Sequence, residues 1–182
     1  MDLIGWRRPP RIVGHTLRGV FQQSEASVMS MINVTLPDGT VNEYAEGITC
    51  AEVITDALGR KHGCLAATVD GVERDMSTKL SSSCSVEGIL SDSDAGIHIL
   101  RHSAAHLLAQ AVTELYPGAL PTIGPAIERG FYYDFKMDPI TEADLKAIQK
   151  KMQFLAKQNA VVERIELDEE DLKSHFEHNP YK

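Results

Sequence analysis

His102 and His106 stand four residues apart in Arg101-His102-Ser103-Ala104-Ala105-His106-Leu107-Leu108. On a helix that spacing stacks two imidazoles on one face, roughly 6 Å apart along the axis. Two such rings can jointly hold a water, an ester or a metal. Their unperturbed pKa lies near neutrality, which suits acid–base work at pH 7. A metalloprotease is disfavoured, because Ser103 follows His102 where a zincin needs a glutamate as general base. A structural zinc wants four ligands, and only two are near in sequence. The spacing is also that of one core histidine beside one solvated histidine, so it supports at most half a site.

About twenty residues later come Ile123-Gly124-Pro125-Ala126-Ile127-Glu128 and Gly130-Phe131-Tyr132-Tyr133-Asp134-Phe135. Gly124 and Gly130 would let the backbone approach a ligand closely, although glycine and proline more often simply turn a chain. The four aromatics suit base stacking; alternating aromatics in a strand are also ordinary core. His98 reads as a helix-start residue, and His175 and His178 as solvated. Glu169-Glu170-Asp171 is a charged first helical turn favoured by the helix dipole.

The elements that must position these residues are readable from periodicity. Ile32, Val34 and Leu36 alternate with Asn33 and Thr35 as in a half-buried strand. Pro37-Asp38-Gly39-Thr40 turns the chain into a second strand at residues 41–44. Thr49 with Glu52 forms a capping box for a helix whose apolar face is Val53, Ile54, Ala57 and Leu58. Leu65, Ala67 and Val69 make another strand, and Asp70-Gly71 signals a hairpin into residues 72–74. Residues 86–90 give a last strand. Strand, strand, helix, strand, strand in about sixty residues predicts a ubiquitin-like β-grasp domain over 31–92. A polar stretch, 91–96, marks the boundary.

Asp94 is the expected N-cap of the histidine helix, over about 97–116, with Leu100, Ala104, Leu107, Leu108, Ala111 and Leu115 on its apolar side. Residues 131–135 read as a strand. Thr141 with Asp144 opens a further helix with the stripe Leu145, Ile148, Met152 and Leu155. Val161, Ile165 and Leu167 mark a strand, and Asp168 caps a short acidic helix. The expected class is therefore α+β: a β-grasp domain, then part of a mixed α/β domain over 97–182. Strand edges left unpaired by so few strands suggest that this second domain is incomplete.

The 182 residues are 43% hydrophobic and 24% charged, ordinary for a soluble globular protein. Net charge is −8, from 18 Lys+Arg and 26 Asp+Glu, so any nucleic-acid contact must be local and shaped. Residues 1–30 are the exception: Arg7, Arg8, Arg11 and Arg18 outweigh Asp2 and Glu25. They lack the apolar core of a secretory signal, and read as an organelle-targeting segment or as upstream sequence ahead of a true start at Met29 or Met31. The second reading is preferred, placing this leader outside the fold. Cys50, Cys64 and Cys84 are too few and scattered for a disulfide framework and suit a reducing cytoplasm. No apolar run approaches a membrane span.

Residues 101–106, 123–128 and 130–135 closely resemble the amino-terminal editing domain of bacterial-type threonyl-tRNA synthetases. Residues 31–91, with Ile32-Asn33-Val34-Thr35-Leu36-Pro37-Asp38-Gly39, resemble the small TGS domain that precedes it there. The resemblance covers essentially everything after Ser30. It implies hydrolysis of seryl-tRNA(Thr), since threonine exceeds serine by one methyl group, worth only about 1–3 kcal/mol in a pocket. It further implies that His102 and His106 position or activate the attacking water without a metal, and that Gly124 and Tyr133 line the pocket for the terminal adenosine and serine.

The family completes this site with an Asp, a Cys and another His further downstream, so the chain alone is not expected to complete the reaction. The aminoacylation domain, where ATP, magnesium and zinc are expected, and the domains through which family members form homodimers are also not among these residues; no cofactor is expected in this chain. The partner implied is tRNA(Thr), the compartment cytoplasmic. Two other classes stay open: a free-standing trans-editing protein, and a non-catalytic TGS-type module binding RNA or a protein partner.

Overall fold

Alternating apolar residues flanked by turn residues dominate the first half of the chain, and they fold as strands around one helix. The computed structural model describes residues 3–6, 30–160 and 162–182. They fall into two units. One ends at Leu100; the other holds residues 101–182 and the first strand, β1 (Leu3–Trp6).

In the first unit, β2 (Met31–Thr35) and β3 (Val41–Ala45) form a hairpin, followed by α1 (Cys50–Leu58), β4 (Cys64–Val69), β5 (Val72–Arg74) and β6 (Cys84–Leu90). The five strands make one mixed sheet in the order β3-β2-β6-β4-β5. β2 and β6 run parallel at its centre, and every other pairing is antiparallel. This is the expected β-grasp arrangement. Asp70 and Gly71, at φ 49° and 78°, form the two-residue loop joining β4 to β5, a backbone conformation an Asp-Gly pair adopts readily. The capping box at the start of α1 is present in full: Glu52 N–H donates to Thr49 Oγ1, and Thr49 N–H donates to Glu52.

Ile32, Val34, Cys50, Val53, Ile54, Ala67, Leu80 and Val86 form this unit's core. Two residues assigned to the apolar face of α1 are not in it. Ala57 is exposed and Leu58 is 61% exposed; they lie at the last turn and line an open groove with Leu36, Cys64 and Leu90.

The division between the units falls inside α2 (Asp94–Leu115), a few residues beyond the expected boundary. The helix also begins earlier than predicted. Asp94 is its first residue, and Ser93 does the capping, its Oγ accepting from Gly96 N–H at 3.0 Å. Ser and Asp are near-equal as caps, so composition could not rank these neighbours. Leu100 and Leu115, assigned to the apolar side, are 47% and 38% exposed; Ala105, Ala111 and Val112 are the buried hydrophobic residues of the helix.

Beyond α2 come β7 (Leu120–Pro121), β8 (Ala126–Ile127), β9 (Gly130–Phe131) and β10 (Phe135–Lys136). Residues 131–135 are thus not one strand. β9 pairs with β8, while β10 pairs with β7, and the chain changes partner between them. Next are α3 (Glu142–Lys157), β11 (Val162–Ile165) and α4 (Glu169–Phe176), with capping residues Thr141 and Asp168 where expected. Ile148 and Leu155 of the α3 stripe are buried and Met152 half-buried, but Leu145, in the first turn, is 55% exposed. Ala111, Val112, Ala119, Ile148 and Leu155 form the core.

Of the leader, Leu3–Trp6 is described, and it is a strand, antiparallel to β11 with Leu3 opposite Ile165 and Trp6 opposite Val162. The sequence reading placed it outside the fold. Leu-Ile-Gly-Trp is apolar and strand-prone, and β11 has no other partner among the described strands. The rest of the leader reading, and Val161, lie outside the described residues. Among the described residues no helix is long and apolar enough to cross a membrane.

Candidate functional site

Ala105 is fully buried while His102 and Ser103 are exposed, so the packing of α2 on its alanine face turns the histidines outward. The two rings meet edge to face, centroids 4.6 Å apart at 72°, with Nε2 to Nε2 at 3.1 Å. At that distance one nitrogen can donate and the other accept, with the roles set by the tautomers of the two rings. His106 is half-buried. Burial, then the neighbouring His102, then the Lys182 ammonium hold its pKa below the ordinary imidazole value, so it is neutral at pH 7 and able to accept a proton.

Gly124 and Tyr133 are brought against each other. A Cβ at Gly124 would stand 2.0 Å from Tyr133 Cδ2, so only a glycine permits this approach of backbone to ring. The segments are zipped by Thr122 N–H to Asp134 O at 2.9 Å and Asp134 N–H to Ile123 O at 2.8 Å. Tyr133 also stacks on Phe135, centroids 4.9 Å apart and 26° between planes. Tyr132, on the alternate side of the chain, is 46% exposed. Arg101, beside His102, donates to the Ile127 carbonyl at 3.3 Å and ties the β8–β9 hairpin to α2.

Lys182 is the residue that sequence reasoning missed. Its Nζ donates to the Tyr133 hydroxyl at 3.4 Å and lies 5.7 Å from that ring's centroid, while its charge reaches His106. Asn179 positions it: 3% exposed, its side chain donates to Pro121 O at 2.9 Å and accepts from Tyr181 N–H at 3.1 Å. Asn-Pro-Tyr-Lys after a short acidic helix carries no signal for this docking in a single sequence. His98, His175 and His178 are exposed and take no part. Among the described residues no three His, Cys, Asp or Glu side chains gather as a metal site would need. The three cysteines are free; Cys50 is fully buried, and burial pushes all three thiols up.

The arrangement joins a hydrogen-bonded imidazole pair, a cation, a phenol hydroxyl and a bare backbone surface. These are the parts for moving a proton near neutrality and for balancing negative charge on a reacting oxygen.

No family model matches the chain. It is similar to the threonine–tRNA ligase of Acholeplasma laidlawii, 41% identical over 157 residues, which cover 84% of this chain and 24% of that protein. The threonine–tRNA ligase of Pelobacter propionicus is 45% identical over 150 residues, 81% of this chain and 24% of that protein. Threonine–tRNA ligase 1 of Bacillus subtilis is 40% identical over 148 residues, 80% and 23%. The chain thus spans about a quarter of the length of these relatives.

Proposed function

We propose, on the premise that this chain belongs to the threonine–tRNA ligase family, that residues 101–182 supply part of a hydrolytic editing site acting on seryl-tRNA(Thr). The observation that carries this reading is the His102–His106 pair at 3.1 Å with His106 held neutral beside Lys182. In the reaction, water attacks the seryl ester carbonyl and gives its proton to the imidazole pair. As the tetrahedral intermediate collapses, the ester C–O bond breaks and that proton passes to the departing ribose oxygen. Free serine and tRNA result. The Lys182 ammonium balances the oxyanion, and the Tyr133 face against Gly124 forms a wall for the terminal adenosine. Ligation of threonine to tRNA(Thr) with ATP is the activity proposed for the whole protein.

A non-hydrolysable 3′-seryl-amido adenosine tests this. We expect it to shift the His102 and His106 NMR resonances on titration, and binding to weaken at least tenfold in His102→Ala or His106→Ala. Equal binding by wild type and both variants would leave the histidines outside the site and overturn the proposal.

A further inference from the structure

Strand β6 is paired along only part of one side. Its register with β2 covers Cys84 and Ser85, opposite Val34 and Thr35, whereas β4 accompanies it to Leu90. Alternation tells which backbone groups face the stretch that β2 leaves. Ser85 O accepts from Asp70 N–H at 3.1 Å, and Ser91 N–H donates to Gly63 O at 3.0 Å. The odd-numbered residues of β6 thus turn their backbone groups toward β4, and Val86, Gly88 and Leu90 turn theirs toward the β2 side. There the ladder cannot go on. Asn33 N–H donates to Ser83 Oγ and Leu36 N–H to Thr40 O, so the odd residues of β2 face β6, and the next to do so is Pro37. Proline has no N–H to give. Among the described strands none lies beside residues 86–90 on that side.

What lies there is the groove beside the last turn of α1, about 290 Å³ in volume. Leu36, Ile54, Leu58 and Leu90 make it apolar, and Leu58 and Leu90 are 61% and 46% exposed. Gly88 keeps it deep. A Cβ there would stand 2.6 Å from Cys64 Sγ, and glycine inside a strand often marks the close approach of another backbone. The charged lining residues, Asp38 and Glu87, are both acids. We propose that this groove takes an extended peptide segment of a protein partner, added as a strand along residues 86–90 of β6, in which apolar residues alternate with Lys or Arg. Main-chain hydrogen bonds to Gly88 hold the added strand. Its alternate side chains point to opposite faces. Those on the helix side enter between Leu58 and Leu90, while the intervening cations meet Glu87. A second copy of this chain is a poorer occupant, since it brings the same carboxylates to the seam and like charges there repel.

The test uses the full 182-residue chain and the synthetic peptide acetyl-Ser-Val-Lys-Leu-Lys-Val-Ser-amide. In the free chain the Gly88 amide should exchange at least about tenfold faster than those of Glu87 and Ile89, which face β4. Saturating peptide should slow Gly88 to the rate of its neighbours and shift the Leu58 and Leu90 methyl resonances. Glutamates in place of both peptide lysines should weaken binding about fivefold, and Glu87→Lys should reverse that preference. Leu58→Gln, a change at an exposed position, should weaken binding about tenfold. A Gly88 amide as slow as its neighbours in the free chain, equal affinity for the two peptides, or binding that leaves Gly88 exchange unchanged would overturn the proposal. So would a chain that takes no peptide and sediments as a dimer, with its Leu58→Gln variant monomeric.

Discussion

His106 is where a single side chain makes the most measurable claim. Its pKa is lowered in the fold and near 6.5 in the unfolded chain, so below that value the unfolded state binds the extra proton first. Stability from this group is therefore complete above about pH 6.5 and declines as pH falls toward the folded value. His106→Gln should flatten that decline in urea titrations from pH 7.5 to 5. Replacing Lys182 by Met removes a nearby cation, so the His106 resonance should titrate higher, closer to a free imidazole; an unchanged midpoint would mean the ammonium does not act on the ring. Gly124 gives a steric counterpart. A methyl there meets the Tyr133 ring at 2.0 Å, and Gly124→Ala should cost about 1–3 kcal/mol in overpacking, with Tyr133 displaced and ligand binding weakened alongside.

Elements show which parts of the fold sequence rules could reach. The Thr49/Glu52 and Thr141/Asp144 capping boxes, the Ile32/Val34 alternation and the Asp70-Gly71 hairpin were all legible, because each is set by chemistry within a few residues. The His102/His106 pair was legible for the same reason. What escaped depends on distant partners: β1 finds β11 more than 150 residues away, Lys182 reaches Tyr133 across 49, and residues 131–135 divide between two ladders. Gly96 puts the two kinds of rule in conflict. Helix propensity alone would have Gly96→Ala stabilise α2 by about 1 kcal/mol. Yet the added Cβ would stand 1.9 Å from the Leu90 carbonyl oxygen, a backbone atom of β6 that cannot swing aside. The clash should win, with a net loss of about 1–3 kcal/mol and a lower Tm for Gly96→Ala; a higher Tm would show that the β6–α2 connection yields.

Across the whole molecule, burial is uneven in a way that bears on function. Among the described residues, the core cluster of the β-grasp unit gathers eight buried side chains, among them Ile32, Val34, Val53, Ile54 and Val86, beneath a five-stranded sheet. The core cluster of the unit bearing the histidines gathers five, two of them alanines, beneath ladders of two strands each, and α4 buries none. Local opening becomes cheaper as buried apolar contact declines. Native-state hydrogen exchange should therefore find the slowest amides in β2, β4 and β6, at Val34, Ala67 and Val86, with α3 intermediate and α4 fastest among the helices. Asn179 tests how the weaker unit holds its site. Its buried amide fixes the 179–182 turn to β7, and that turn delivers Lys182 to Tyr133 and His106. Asn179→Ala strands the Pro121 carbonyl and frees the turn. It should speed exchange in β7 and β10 and raise the His106 pKa toward its ordinary value, while leaving Val34 and Val86 protected. Equal acceleration at Val34 would mean that the two units open together, and the site's mobility would then be a property of the entire chain rather than of its second unit.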